Sequence, residues 1–244
     1  MPSDTAPHRL ALVGYGKMGR MLESLAPEFG FDVGLRLDEF NNAGGAGITP
    51  RNFEKIDVAI DFSIPPVVAE NADRIAALGV NVVIGTTGWL DELPRVRAAV
   101  ERDNIGLVYG ANFSVGVQVF YRIVEAAAAV LASEDDYDAW AYEMHHKMKK
   151  DAPSGTLLRL VEKMKESGYA RNIDTASNRA GAAPGMHRIG FDSEADTIEL
   201  VHTARSRVGF ARGALRAARW IVGRKGLYEF STVWDRMAEA SPGS

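Results

Sequence analysis

The sequence predicts an α/β protein: a doubly wound parallel sheet with helices on both faces, joined to a second α+β unit with a mixed sheet. Three observations predict it. Short apolar segments alternate with longer amphipathic ones through the first half of the chain, and strands alternating with helices imply a parallel sheet covered on both sides. The pattern changes after Asn112, where a long apolar stretch precedes a strand, a helix and a loop, and then two further strands. A last amphipathic helix and the tail then read as returning to the first unit. The units expected are residues 1–113 with 213–244, and residues 114–212.

In order, residues 9–13, 31–37, 56–62, 80–84 and 105–109 read as buried strands, each short, rich in Val, Ile or Leu, and closed by Gly, Asp or Asn. Residues 17–26, 67–77 and 90–102 carry helical spacing between them. In the last of these, Leu90, Leu93, Val96, Arg97 and Val100 fall on one side, with the Arg97 stem reaching out to solvent. The loop 41–50, with three glycines, is expected to be exposed and mobile. Residues 115–131 then read as a long helix, 137–145 as a strand and 154–165 as a helix. Residues 167–186 read as loop, 186–191 and 197–203 as strands, and 211–222 as the final helix.

The chain carries 28 Lys and Arg against 32 Asp and Glu, a balance that gives no long-range attraction to nucleic acid or an anionic membrane. It has no cysteine, which removes disulfide and thiolate chemistry and suits a reducing compartment. The N-terminal residues lack the basic and apolar regions of a signal peptide. No run approaches the roughly 18 apolar residues of a membrane span. A cytoplasmic protein acting on a small molecule is the expectation, with neither nucleic acid nor membrane as partner.

Gly14-Tyr15-Gly16-Lys17-Met18-Gly19 follows the first strand and opens the first helix. This is the placement of a dinucleotide-binding turn in a Rossmann-type sheet. Gly14 permits the tight turn, Gly16 lets the backbone approach a pyrophosphate, and Gly19 allows close helix packing. Asp38, about 20 residues on at the end of the second strand, is placed to meet the adenosine ribose. A carboxylate there favours NADH; Arg36 nearby offers an alternative that would serve NADPH. Gly85-Thr86-Thr87-Gly88 and Gly110-Ala111-Asn112-Phe113 each follow a strand, where ligands of doubly wound sheets bind. Their small hydroxyl and amide residues could surround a nicotinamide and its ribose.

The chemistry is concentrated in Glu143-Met-His-His-Lys-Met-Lys-Lys-Asp-Ala-Pro-Ser-Gly-Thr156. Pro153 disfavours helix at Ala152, and Ser154 can cap the helix that follows. The N–H groups near Ser154, Gly155 and Thr156 would then form an anion site at the helix start. Adjacent strand residues point to opposite faces, so one of His145 and His146 at most faces a given pocket. A histidine can donate a proton near neutral pH, and a lysine beside it can supply fixed charge, or a proton if its pKa is lowered. Adjacent histidines without cysteine do not make usual metal-ligand spacing, so no metal is expected. No Gly-x-Ser-x-Gly elbow is present to support serine hydrolase chemistry.

That segment resembles the signature of the 4-hydroxy-tetrahydrodipicolinate reductase (dihydrodipicolinate reductase) family of bacterial lysine biosynthesis. The glycine motif, Asp61-Phe-Ser, residues 85–88, Ala111-Asn-Phe-Ser-Val-Gly116, Arg179-x-Gly181 with Gly185-x-His187, residues 202–214 and Gly226-Leu-Tyr recur in family order. The resemblance implies NADH- or NADPH-dependent reduction of a cyclic dicarboxylate, with NADH favoured here by Asp38. It implies His145 as proton donor and Lys149 as second donor or charge stabiliser, with His146, Ser154, Gly155 and Thr156 on the substrate. It implies Phe62, Thr86, Thr87, Ala111, Asn112 and Phe113 around the cofactor with Gly85 and residues 14–19. It also implies a homotetramer joined through the second unit, and a hinge that closes on ligands. The nucleotide loop is one residue shorter than in many members; Leu157 and Gln118 stand where Ala and Asn are common. Two other readings share the nucleotide signature: an aspartate or related amino-acid dehydrogenase, and a catalytically silent NAD-binding regulator.

Overall fold

The computed structural model describes residues 6–237. The first five residues and the tail beyond Met237, on which the leader and tail readings partly fell, lie outside the described residues. The described residues form two compact units: residues 6–114 with 210–237, and Val115–Gly209.

The first unit is a six-stranded sheet of β1 (His8–Val13), β2 (Phe31–Leu37), β3 (Val58–Asp61), β4 (Asn81–Ile84), β5 (Gly106–Tyr109) and β10 (Gly226–Glu229). Its order is β10-β5-β4-β3-β1-β2, and every pairing is parallel. The inner strands β1, β3, β4 and β5 are mostly buried and rich in Val, Ile, Leu and Ala because helices cover both faces, whereas the edge strands β2 and β10 are partly exposed. One face packs on α1 (Lys17–Leu25), α7 (Val208–Ile221) and α8 (Phe230–Val233); the other on α2 (Pro50–Phe53), α3 (Pro65–Ala77) and α4 (Leu93–Asp103). Each fully buried Leu, Ile or Val contributes about 1.5–3 kcal/mol.

Register decides where the loops begin. Val13 lies level with Leu37 and Asp61, Asp61 with Ile84, and Ile84 with Tyr109. The five following loops therefore leave from one row at the carboxyl edge. The strand order reverses between β1 and β3, the switch point at which doubly wound sheets bind ligands.

The second unit has α5 (Val115–Leu131), β6 (Asp138–His145), α6 (Gly155–Glu166), β7 (Ile173–Arg179), β8 (Met186–Asp192) and β9 (Thr197–Thr203). The sheet order is β7-β6-β8-β9, parallel between β6 and β7 and antiparallel elsewhere. α5 and α6 cover the face carrying Ala139, Ala141, Ile189 and Phe191. The opposite face carries Trp140, Tyr142, Arg188 and Val201, the last half exposed at 50%.

Several sequence expectations need correction. Residues 167–186 are not all loop. β7 lies there, and its polar sequence gives no strand pattern because only Ile173 is buried along it. β10 supplies a sixth strand that was not expected, and α7 starts at Val208 rather than 211. The 41–50 loop is only partly exposed: Gly45, Gly47 and Ile48 are buried, and Asn42 Oδ1 accepts the Gly47 N–H at 3.0 Å. Leu90 precedes α4 in a 3-10 turn and is exposed, so the buried line runs through Val96, Ala99 and Val100.

Candidate active site

At the carboxyl edge of the first sheet, Gly14 adopts φ +88°, and a Cβ there would meet the Phe62 backbone carbonyl at the switch point. Only glycine suits both conditions. Gly16 precedes α1, and a Cβ on it would meet nothing within 4 Å. The helix start there is an open cradle, with Lys17 exposed and Met18 half buried. A Cβ on Gly19 would lie 2.9 Å from the Gly14 carbonyl oxygen, so this glycine packs the helix onto the turn itself. These features fit a dinucleotide pyrophosphate.

Asp38 begins a turn: its Oδ1 accepts the N–H groups of Phe40 and Asn41 at 2.9 and 3.0 Å. Its other oxygen has no hydrogen bond among the described residues. Arg36 is committed elsewhere. Its Nε donates to Glu23 Oε1 at 2.8 Å, and Glu23 also accepts the Tyr15 hydroxyl.

Asp61 organises the loops nearer the sheet centre. It is 1% exposed, and its Oδ1 accepts from Ser63 N at 2.8 Å, Ser63 Oγ at 2.6 Å and Thr86 Oγ1 at 3.2 Å. Asn71 Nδ2 donates to Oδ2 at 3.0 Å. Burial raises its pKa, opposed by the bonds from Ser63, Asn71 and Thr86. Thr86 is thereby fixed, and Trp89 Nε1 donates to its carbonyl at 2.9 Å. Phe62 packs over Gly85, where a Cβ would strike its ring. Thr87 and Ala111 are exposed, Asn112 Oδ1 accepts the Ser114 N–H at 2.9 Å, and Phe113 is buried against Phe230.

In the second unit, strand register builds a polar row that sequence reading missed. Ser177, Glu143, His187 and His202 are level across β7, β6, β8 and β9, with Arg179 beside His145 in the next position. His145 shares a face with Glu143, two residues away, while His146 follows the strand end and is half buried. Glu143 is completely buried. Its Oε1 accepts from Ser154 N at 2.8 Å, Ser177 Oγ at 2.9 Å and Arg179 Nη2 at 2.7 Å. Its Oε2 accepts from the Ser154 hydroxyl and lies 3.4 Å from His145 Nδ1 and 3.5 Å from His187 Nε2. Burial alone would raise the carboxyl pKa, but the partners His187, Ser154 and Arg179 hold it well below the usual range.

Ser154 caps α6 as expected, its Oγ accepting the Leu157 N–H at 3.2 Å. The expected anion site needs a correction at this residue, because the Ser154 N–H is already bonded to Glu143. The open part of the helix start is Gly155, where a Cβ would meet nothing within 4 Å, and half-buried Thr156. Lys149 is paired with Asp151, its Nζ 2.7 and 2.8 Å from the two carboxylate oxygens. Burial pushes the His145 pKa down to about 4; Glu143 opposes this, and His187, Lys149 and Arg179 add to it. Ligand atoms of Glu143, His145 and His187 lie within 4.8 Å of one another. They do not fit a metal centre: Ser154, Ser177 and Arg179 take up the carboxylate, and a guanidinium 2.7 Å away opposes a cation. The sequence signal for this cluster was a lone glutamate inside the apolar strand preceding His145.

Residues 8–113 match the family model described as dihydrodipicolinate reductase, N-terminus, and residues 116–234 match the one described as its C-terminus. The chain belongs to the dihydrodipicolinate reductase family. A 4-hydroxy-tetrahydrodipicolinate reductase of Christiangramia forsetii is 33% identical, over 92% of this chain and 96% of the relative. One from Archaeoglobus fulgidus is 37% identical, over 90% and 97%. The fold is that of a dipicolinate-bound dihydrodipicolinate reductase from Paenisporosarcina sp. TG-14: TM-score 0.76 at 23% identity, covering 93% of this chain and 99% of that one. In this family member, the glycine cradle lies within the N-terminal match, and the Glu143 cluster with α6 within the C-terminal match.

Proposed function

We propose that this chain catalyses the nicotinamide-dependent reduction of the dehydrated form of 4-hydroxy-tetrahydrodipicolinate to tetrahydrodipicolinate, in diaminopimelate and lysine biosynthesis. The observation that carries this is the pair of reductase-family matches spanning residues 8–113 and 116–234. The relatives described lend nothing to an aspartate dehydrogenase or to a silent NAD-binding regulator.

The first unit holds the dinucleotide, with residues 14–19 on the pyrophosphate and Phe62, Gly85, Thr86, Thr87, Ala111, Asn112 and Phe113 around the nicotinamide end. When bound, the reduced nicotinamide supplies a hydride. The cofactor is NADH. The free oxygen of Asp38 suits a ribose hydroxyl and would repel a 2′-phosphate, and Arg36 is neutralised by Glu23. The second unit holds the dicarboxylate through Gly155, Thr156, His146 and the hydroxyl of Ser154. Lys149 reaches the substrate by leaving Asp151, and it stabilises charge or donates a proton as the ring is reduced. His145, on the same strand as the Glu143 anchor, is the other proton donor. Trp140, Tyr142 and Val201 lie on the sheet face opposite α5 and α6, and the homotetramer forms through it. Among the described residues no helix is long and apolar enough to cross a membrane, in keeping with a cytoplasmic enzyme.

The test is an assay in which the substrate is generated in place from pyruvate and aspartate semialdehyde by the condensing synthase, while NADH and NADPH oxidation are followed. Substrate-dependent oxidation is expected, faster with NADH. No oxidation with either cofactor would overturn the reading; a clear preference for NADPH would overturn only the cofactor assignment.

A further inference from the structure

The groups facing His145 come from every strand around it. Glu143 lies on its own strand, Lys149, paired with Asp151, on the segment that follows, Arg179 on β7, and His187 on β8 with His202 level on β9. Their charges already cancel in pairs. Arg179 Nη2 lies 2.7 Å from Glu143 Oε1, and Lys149 Nζ lies 2.7 Å from Asp151 Oδ1. Among the described groups acting on His145, no anion is left over for a second cation. His145 is 7% exposed and His187 4% exposed, their rings 5.1 Å apart, and the Nδ1 atoms of His145, His187 and His202 are buried without a hydrogen-bond partner. A proton on His145 would therefore place an uncompensated positive charge in a buried site, which costs far more than the same proton in water.

From this charge balance we infer that His145 is neutral in the free protein and takes up a proton from solvent when a dicarboxylate binds, the dianion supplying the counter-charge that the protein itself withholds. The inference rests on the reading of this cluster as a dicarboxylate site. Its consequence is that the acid is loaded only when substrate is present. The step moves one proton from solvent to an imidazole nitrogen and involves no electron transfer. Burial already holds the free ring at about 4, so at pH 7 about one molecule in a thousand carries the proton. A carboxylate within about 4–6 Å raises such a group by roughly one to three units. Affinity for the dianion should be greatest below the free-state value. It should weaken by up to about tenfold per pH unit as pH rises through the window between the free and bound values.

Pyridine-2,6-dicarboxylate, fully ionised at neutral pH, is the probe. Titration calorimetry on the full chain at one pH, in buffers of different ionisation enthalpy, gives the protons taken up from the slope of observed enthalpy against buffer enthalpy. The expected slope corresponds to uptake approaching about one proton at mildly acidic pH. In His145→Asn the probe should still bind, more weakly, with the slope lost. As a check that needs no variant, histidine-ring NMR of the unaltered protein should show the His145 ring becoming protonated as the probe is added. Binding without proton uptake overturns the inference and leaves the dicarboxylate reading standing. Uptake that persists in His145→Asn overturns the assignment to His145. No binding at all overturns the dicarboxylate reading and the inference with it.

Discussion

Replacing Glu143 with Gln changes almost no volume, so its cost isolates the electrostatics of the buried cluster. The carboxylate accepts bonds from Ser154 N, Ser154 Oγ, Ser177 Oγ and Arg179 Nη2. An amide keeps one acceptor oxygen and turns the other into a donor facing donors, while Arg179 loses its anion. Removing one partner of a buried ion pair costs about 3–5 kcal/mol. Arg179 keeps 17% of its side-chain exposure and can turn partly to water, so the lower end, about 3 kcal/mol, is expected here. The pH dependence follows from the folded-state pKa being lowered. The stabilisation is fully present above the unfolded value of about 4.3 and is lost as pH falls below it. Urea denaturation of Glu143→Gln and the unaltered protein at pH 7 and at pH 3.5 measures both effects. The gap should be about 3 kcal/mol at pH 7 and smaller at pH 3.5. A loss under about 0.5 kcal/mol at pH 7, or a gap that does not change with pH, would refute the role given to this carboxylate.

Further outcomes follow from the same geometry. Because the folded His145 pKa lies near 4, below its unfolded value of about 6.5, its contribution is present above pH 6.5 and lost as pH falls toward 4. Thermal denaturation across that window should show a falling stability that His145→Asn flattens. Lys149→Ala should lower kcat by orders of magnitude while NADH affinity, measured calorimetrically, changes little; unimpaired turnover would remove Lys149 from the chemistry. Gly14→Ala meets both a positive φ and the Phe62 carbonyl. It should lower Tm by several degrees and weaken NADH binding by about tenfold or more, read by scanning calorimetry and by NADH fluorescence. Asp38→Ala should narrow the NADH over NADPH preference in kcat/KM by about tenfold, and an unchanged ratio would place discrimination elsewhere.

Legibility differed by element. The inner parallel strands were readable because burial on both faces leaves near-continuous apolar runs, and β2, α5 and β9 match the sequence reading at both ends. β7 was not readable, since an edge strand with mostly exposed polar side chains carries no periodic signal. β10 was missed because four residues, none of them fully buried, are too few to show a period. In the site, the glycine motif, the Ser154 cap and the division between His145 and His146 were legible, since each depends on neighbours close in the chain. The commitment of the Ser154 N–H to Glu143 was not, because those residues stand eleven apart and meet only through the fold.

By itself the sequence determined the doubly wound sheet, the glycine turn at its first crossover, and the reactive segment with its family. Local propensity and hydrophobic period suffice for the sheet and the turn, since they act over a few residues; the family came from the resemblance of its motifs. The tertiary structure alone decided that Ser177, Glu143, His187 and His202 form one row across four strands, and that Lys149 and Arg179 are already paired. Strand register and burial set those relations. They are properties of the packed sheet, and they fix the charge balance around His145.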